Sequence, residues 1–235
     1  MKKQRLAYNV CGAFLCLCLT IGVEANAQDF GNLNHYAQKN KELVQAGKNK
    51  KEKRVVFMGN SITEGWVNQR PDFFQKNHYV GRGISGQTSY QFLLRFREDV
   101  VKLSPDVVII NAGTNDIAEN TGVYNEDYTF GNIISMVEIA QANKIKVILT
   151  STLPAALFGW NSKIKDAAVK IASLNNRIRE YAKENRIPYV DYYEKMVYGD
   201  NKALNPVYTK DGVHPTVEGY VIMEQLVQKA IDKAL

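Results

Sequence analysis

Short apolar runs alternate along this chain with longer stretches in which apolar residues recur at helical spacing. Val55–Met58, Val107–Asn111 and Lys146–Ser151 are brief, rich in Val and Ile, and bounded by Gly, Pro or polar residues. That pattern predicts buried strands. Tyr79-Val80 and Tyr189-Val190 are weaker candidates for two more. Helices are predicted over Tyr90–Val100, Thr129–Asn143, Asp166–Asn185 and Thr216–Ala234. In the second, Ile133, Ile134, Val137 and Ala140 fall on one face; in the last, Tyr220, Met223, Val227, Ala230 and Ile231 do. Glu218 sits in the first turn of that last helix, where a carboxylate suits the helix dipole. Repeated β-α alternation implies a parallel sheet with helices on both faces. Sites in such sheets lie at the carboxyl ends of the strands.

The N-terminus reads differently. Lys2, Lys3 and Arg5 precede an apolar stretch from about Val10 to Val23, and Ala25-Asn26-Ala27 fits a small-x-small cleavage site. Residues 1–27 are therefore expected to be a cleaved secretory signal peptide, with export to a bacterial periplasm or the medium. A membrane anchor is the competing reading, but the apolar run is shorter than the roughly 20 residues that span a bilayer. Cys11, Cys16 and Cys18 all lie in this segment, so the remainder would hold no disulfide and no cysteine-based metal site. Residues 28–53 are expected to form an N-terminal arm and helix packed on a single domain over 54–235. The formal net charge is +6. Its basic excess gathers between Lys39 and Arg54, without the aromatic interleaving of a nucleic-acid face, so a solvated helix face is expected and no nucleic-acid partner.

Chemistry enters at the ends of the predicted strands. Ser61 follows the first strand in Gly59-Asn60-Ser61-Ile62-Thr63, where strand gives way to helix. A serine hydroxyl needs a base to become a nucleophile, and a helix N-terminus favours developing negative charge. The same serine also fits a simple helix cap or a phosphate-cradling loop. His214, in Asp211-Gly-Val-His214-Pro215, is the histidine with a carboxylate three residues before it. An unperturbed imidazole titrates near ~6.5 and can serve as base and then acid. Asp211 can hold its other ring nitrogen, although Asp-Gly and His-Pro are also ordinary turn formers. Gly86, in Ile84-Ser85-Gly86-Gln87-Thr88-Ser89, lets a backbone N–H approach closely. Asn115, in Gly113-Thr114-Asn115-Asp116, offers a side-chain amide. Such donors suit an oxyanion, with the Ser61 N–H as a third. Each block alone reads as a turn; all four at one sheet edge, in this order, point to acyl transfer.

These four blocks resemble those of the SGNH superfamily of hydrolases, also called GDSL esterases and lipases, over about residues 54–235. The resemblance implies a three-layer α/β/α, flavodoxin-like doubly wound sheet of about five parallel strands, and ester hydrolysis without metal or cofactor. It implies Ser61 as nucleophile, His214 as base, Asp211 as orienting acid, and Ser61, Gly86 and Asn115 as the oxyanion hole. One departure is visible: Asn60 stands where the family's motif has an acid, so no role needing a carboxylate is expected there.

The subtype of the Gly-Asn-Ser-Ile-Thr and Gly-Ile-Ser-Gly-Gln-Thr blocks resembles acetylhydrolase-like members. With export, removal of small acyl groups, acetyl foremost, from a carbohydrate is the expectation. Asn60, Trp66 and Trp160 are candidate substrate contacts, with Phe158 and Tyr124 as further aromatics; ordinary packing is the competing reading for each. No long apolar lid interrupts the chain, which argues against long-chain lipids. Lysophospholipase or arylesterase activity, glycan O-acyl transfer and a non-catalytic glycan-binding module stay open as alternatives.

Overall fold

The computed structural model describes residues 29–48 and 53–235; the expected signal segment lies outside them. Five parallel strands form the central sheet: β1 (Val55–Gly59), β2 (Tyr79–Gly83), β3 (Val107–Ile110), β4 (Lys146–Thr150) and β5 (Tyr189–Val190), in the order β2-β1-β3-β4-β5. Alternate residues of each strand face opposite layers. Val56, Met58, Val108, Ile110, Val147 and Leu149 pack on one side. Val55, Phe57, Val107, Ile109 and Ile148 pack on the other. This two-fold burial explains why the strands read as unbroken apolar runs.

Helices cover both faces. The first side carries α4 (Ser89–Asp99), α6 (Glu126–Ala142) and α7 (Ala167–Glu184). They bury Phe92 and Phe96, Ile133 and Val137, and Ile171, Leu174 and Ile178. The second side carries α2 (Ser61–Gln69), α3 (Pro71–Lys76), α8 (Tyr192–Met196) and α9 (Val217–Ala234). There Ile62, Trp66, Phe74, Tyr192, Tyr220, Met223 and Val227 form the core. The short α5 (Thr114–Ile117) follows β3, and a small antiparallel hairpin, β6 (Val197–Tyr198) with β7 (Ala203–Leu204), lies before the last loop. The result is the three-layer α/β/α arrangement. No helix among the described residues is long and apolar enough to cross a membrane.

The predicted elements are found, with shifts that have local causes. Helix α6 begins three residues early because Asn125 caps it, its side chain accepting the Tyr128 N–H at 3.1 Å. Strand β2 is longer than the pair Tyr79-Val80 because Gly81 and Gly83 interrupt the apolar signal. Both are demanded by packing: a Cβ at Gly81 would stand 2.2 Å from Val67 Cγ2.

The segment before β1 holds α1 (Ala37–Gln45), which lies against α4 and the turn at Val101–Leu103. Tyr36 Oη donates to the Gly83 carbonyl at 2.5 Å, and Asn40 Nδ2 to Asp99 Oδ1 at 2.6 Å. Arg82 Nε in turn donates to Asn40 Oδ1 at 2.8 Å.

Candidate active site

The sheet order reverses between β1 and β3, so the chain leaves these neighbouring strands toward opposite faces and opens a crevice at their carboxyl ends. Ser61 sits there as the first residue of α2, two residues past β1. Asn60 caps that helix: its Oδ1 accepts the Ile62 N–H at 3.0 Å. Gly59 makes the tight exit possible, since a Cβ there would stand 2.0 Å from Thr63 Oγ1.

The loop before α9 brings His214 to Ser61. Nε2 of the imidazole lies 2.9 Å from Ser61 Oγ, and Nδ1 lies 2.6 Å from Asp211 Oδ2. With Nδ1–H donated to the carboxylate, Nε2 keeps a lone pair for the serine proton. Asp211 is itself anchored. Its Oδ1 accepts the N–H groups of Val213 and His214 at 2.9 and 2.8 Å, and the Thr209 hydroxyl at 3.2 Å. Partial burial alone would raise its pKa. The His214 backbone N–H, the imidazole and the Val213 N–H outweigh that and hold it at about 2. Asp211 therefore stays an anion above that pH and keeps the imidazole oriented.

Ser61, Gly86, Asn115 and His214 line one cavity of about 320 Å³, together with Ser85, Asn120 and Trp160. The turn carrying Gly86 is tightly bound. Ile84 N–H donates to the Gly59 carbonyl at 3.2 Å and Gln87 N–H to the Ile84 carbonyl at 3.3 Å. Ser85 donates both its N–H and its hydroxyl to Glu64 Oε2. Thr88 N–H meets Gln91 Oε1 at 3.1 Å, and Ser89 N–H meets Asp116 Oδ1 at 3.0 Å. Among the described residues, the Gly86 N–H is the one amide of this stretch without an acceptor. It sits at φ +77°, a region glycine enters without strain. The Ser61 N–H, at the first position of α2, likewise has no partner. Asn115 Nδ2 donates one hydrogen to the Gln87 carbonyl at 2.9 Å and keeps the other. Three donors thus remain unspent beside the Ser61 hydroxyl.

Trp160 is in place beside them. It is 49 % exposed, lies 6.2 Å ring to ring from His214, and donates Nε1–H to Asn120 Oδ1 at 2.9 Å. Two other expected substrate contacts are corrected. Trp66 is 2 % exposed and faces the core one helical turn past Ile62. It stacks on Phe73 and Tyr220 and gives its indole N–H to Glu224 at 3.2 Å. Asn60 is equally buried, and its Oδ1 is taken up in capping α2. Phe158 is also core, supporting Trp160 from beneath at 5.2 Å.

Several participants escaped sequence reasoning. Asn120 bridges the Gly86 carbonyl, at 3.0 Å, and the Trp160 indole. Glu64 anchors Ser85. Asp116 receives the Ser89 N–H and hydroxyl, and burial pushes its pKa up against those bonds. The one available signal was Asp116's place in the Gly-Thr-Asn-Asp block. Among the described residues no group of His, Cys, Asp and Glu could hold a metal ion.

Comparison with known proteins defines the class. Residues 57–222 match the GDSL-like Lipase/Acylhydrolase family, and the chain belongs to it. That places it among the carboxylic ester hydrolases. A crystal structure of a GDSL-like lipase from Bacteroides thetaiotaomicron is 71 % identical, with a TM-score of 0.86 over 88 % of this chain and 100 % of the other. The fold is shared with an acetylxylan esterase from Geobacillus stearothermophilus, 21 % identical with a TM-score of 0.61 over 76 % and 94 % of the two chains. An acetylxylan esterase from Xylanibacter ruminicola is 23 % identical over 76 % of this chain, which spans only 43 % of that longer protein's length.

Proposed function

We propose that this protein is an exported serine esterase that removes short acyl groups, acetyl foremost, from carbohydrate. The observation that carries the reading is the hydrogen-bonded series Ser61–His214–Asp211 facing three unpaired donors in one cavity. Ser61 Oγ bonds to the ester carbonyl carbon while its proton passes to His214 Nε2. The carbonyl oxygen becomes an oxyanion, met by the N–H groups of Ser61 and Gly86 and the free Asn115 Nδ2–H. As the intermediate collapses, the bond to the alcohol oxygen breaks and His214 gives that oxygen its proton. Water then attacks the acyl-Ser61 ester, again through His214, releasing the acid and restoring the serine hydroxyl.

The two sides of His214 support the substrate class. On one side Gly86, Asn120 and Trp160 stand beside Ser61 around the small cavity of about 320 Å³, a size that suits a short acyl group. The leaving alcohol takes its proton from His214, beside which a cleft is lined by Gln69, Lys210, Thr216 and Glu218 together with Pro215 and Val217. Such a surface suits a hydroxyl-rich alcohol. The acetylxylan esterases among the relatives and the export-signal character of residues 1–27 agree with it. Hydrolysis of p-nitrophenyl esters from acetyl to lauroyl checks the acyl preference. Turnover is expected to be fastest on acetyl and to fall by roughly tenfold or more by octanoyl, since even one misfit methylene costs about 1–3 kcal/mol. A rising rate toward lauroyl would contradict the reading.

A further inference from the structure

We propose that Gln87 is a positioning residue for ester hydrolysis, fixing the Gly86 and Asn115 donors relative to each other and to the serine turn. The inference rests on the reading of Ser61 as nucleophile given above. Gln87 is buried, adjacent to Gly86, and all of its polar groups are engaged. Its carbonyl accepts Asn115 Nδ2–H at 2.9 Å, which ties the two oxyanion donors directly together. Its side-chain Oε1 accepts Arg95 Nε–H at 2.5 Å, and its Nε2–H donates to the Gly31 carbonyl at 3.0 Å.

Arg95 extends that connection to the nucleophile. It is fully buried within α4, paired with Asp99 through Nη1 at 2.7 Å. Nη2 donates to the carbonyl of Gly59, at the end of β1, at 2.9 Å. Nη1 also donates to the carbonyl of Arg82, near the end of β2, at 3.0 Å. One guanidinium therefore joins the exits of both strands, and Gln87 joins it to the turn that presents Gly86. The fork of fixed donors is what makes an arginine suited to this task. The Gly31 contact brings the N-terminal arm into the same unit.

Loss of the Gln87 amide would leave Arg95 Nε–H buried without an acceptor and free a turn whose apex is a glycine at positive φ. No hydrogen bond joins Gln87 to Ser61, His214 or Asp211, so that series would persist. The expected consequence is a defect in oxyanion stabilisation with binding retained.

The test is steady-state hydrolysis of p-nitrophenyl acetate by Gln87→Met and Gln87→Glu beside the wild type, with thermal melts. Gln87→Met keeps length and burial but loses both hydrogen bonds. Its kcat is expected to fall roughly 10- to 100-fold, with KM within about twofold and the pH profile unmoved. Gln87→Glu keeps an acceptor for Arg95 and is expected to recover most of the loss. A folded Gln87→Met with wild-type kcat would overturn the proposal, as would a fall in activity that only tracks the fraction unfolded. If the methionine variant does not fold, Gln87→Asn decides: it keeps the amide one methylene short of Arg95, and wild-type kcat there overturns the proposal. Wild-type turnover that is independent of Ser61 would instead sink the functional reading itself.

Discussion

Replacing Ser61 with Ala is expected to lower kcat for p-nitrophenyl acetate by roughly 10⁴-fold or more, by analogy with serine hydrolases in which the nucleophile has been removed. The reason is chemical. Without Oγ there is no acyl-enzyme, and only donors and bound water remain to act on the ester. The fold should hardly notice. Ser61 Oγ has one hydrogen-bond partner, His214 Nε2. The capping of α2 belongs to Asn60, and alanine is a good residue at the first helical position. Melting temperature should therefore stay within a few degrees of the wild type, so that loss of rate reports on chemistry. Rates for both proteins on acetyl ester, with matched melts, check this.

The second large effect concerns a glycine with no chemistry of its own. Gly83→Ala is expected to destabilise the protein by about 3 kcal/mol or more and to abolish most activity. A Cβ on Gly83 would lie 2.3 Å from Glu64 N, 2.6 Å from Asn60 O and 2.8 Å from Thr63 C. These are backbone atoms of the first turn of α2, so no rotamer change relieves the clash. Either β2 must part from β1, where Gly83 pairs with Gly59, or α2 must lift and carry Ser61 away from His214. A loss of about 3 kcal/mol corresponds to roughly 6–12 °C in a domain of this size. Gly131→Ala is the control: nothing lies within 4 Å of its Cβ position, it is inside α6, and it should be neutral or slightly stabilising. Thermal melts of the two variants separate backbone collision from the general effect of removing a glycine.

Gly83 also marks where sequence reading stops. The strands were legible because burial on both faces leaves uninterrupted Val and Ile. The long helices were legible because one apolar face suffices to show the period. The crevice followed from chain order alone: Ser61 after β1, Gly86 after β2, Asn115 after β3 and His214 before α9. What failed was local context. Trp66 read as a substrate contact because the short α2 turns inward only Ile62, Thr63 and Trp66, with Val67 partly buried, too few apolar positions to reveal a period. Asn60 looked available to substrate because a capping bond leaves no mark beyond residue type.

The supporting contacts had no local signature at all. Gln87 is joined to Gly31 across 56 residues and to Asn115 across 28. Asn120 is joined to Trp160 across 40. Only the folded chain brings such pairs together. Sequence pattern therefore exposed the groups proposed to react but not the ones that hold them in place.

Covalent labelling tests the central claim most directly. The protein, with and without excess acetyl ester, would be treated with a fluorophosphonate and digested, and the modified peptide located by mass spectrometry. One adduct on Ser61, suppressed by the ester and absent in Ser61→Ala, is the predicted result. A folded protein that takes no label, or takes it on a serine other than Ser61, would contradict the assignment of Ser61, His214 and Asp211.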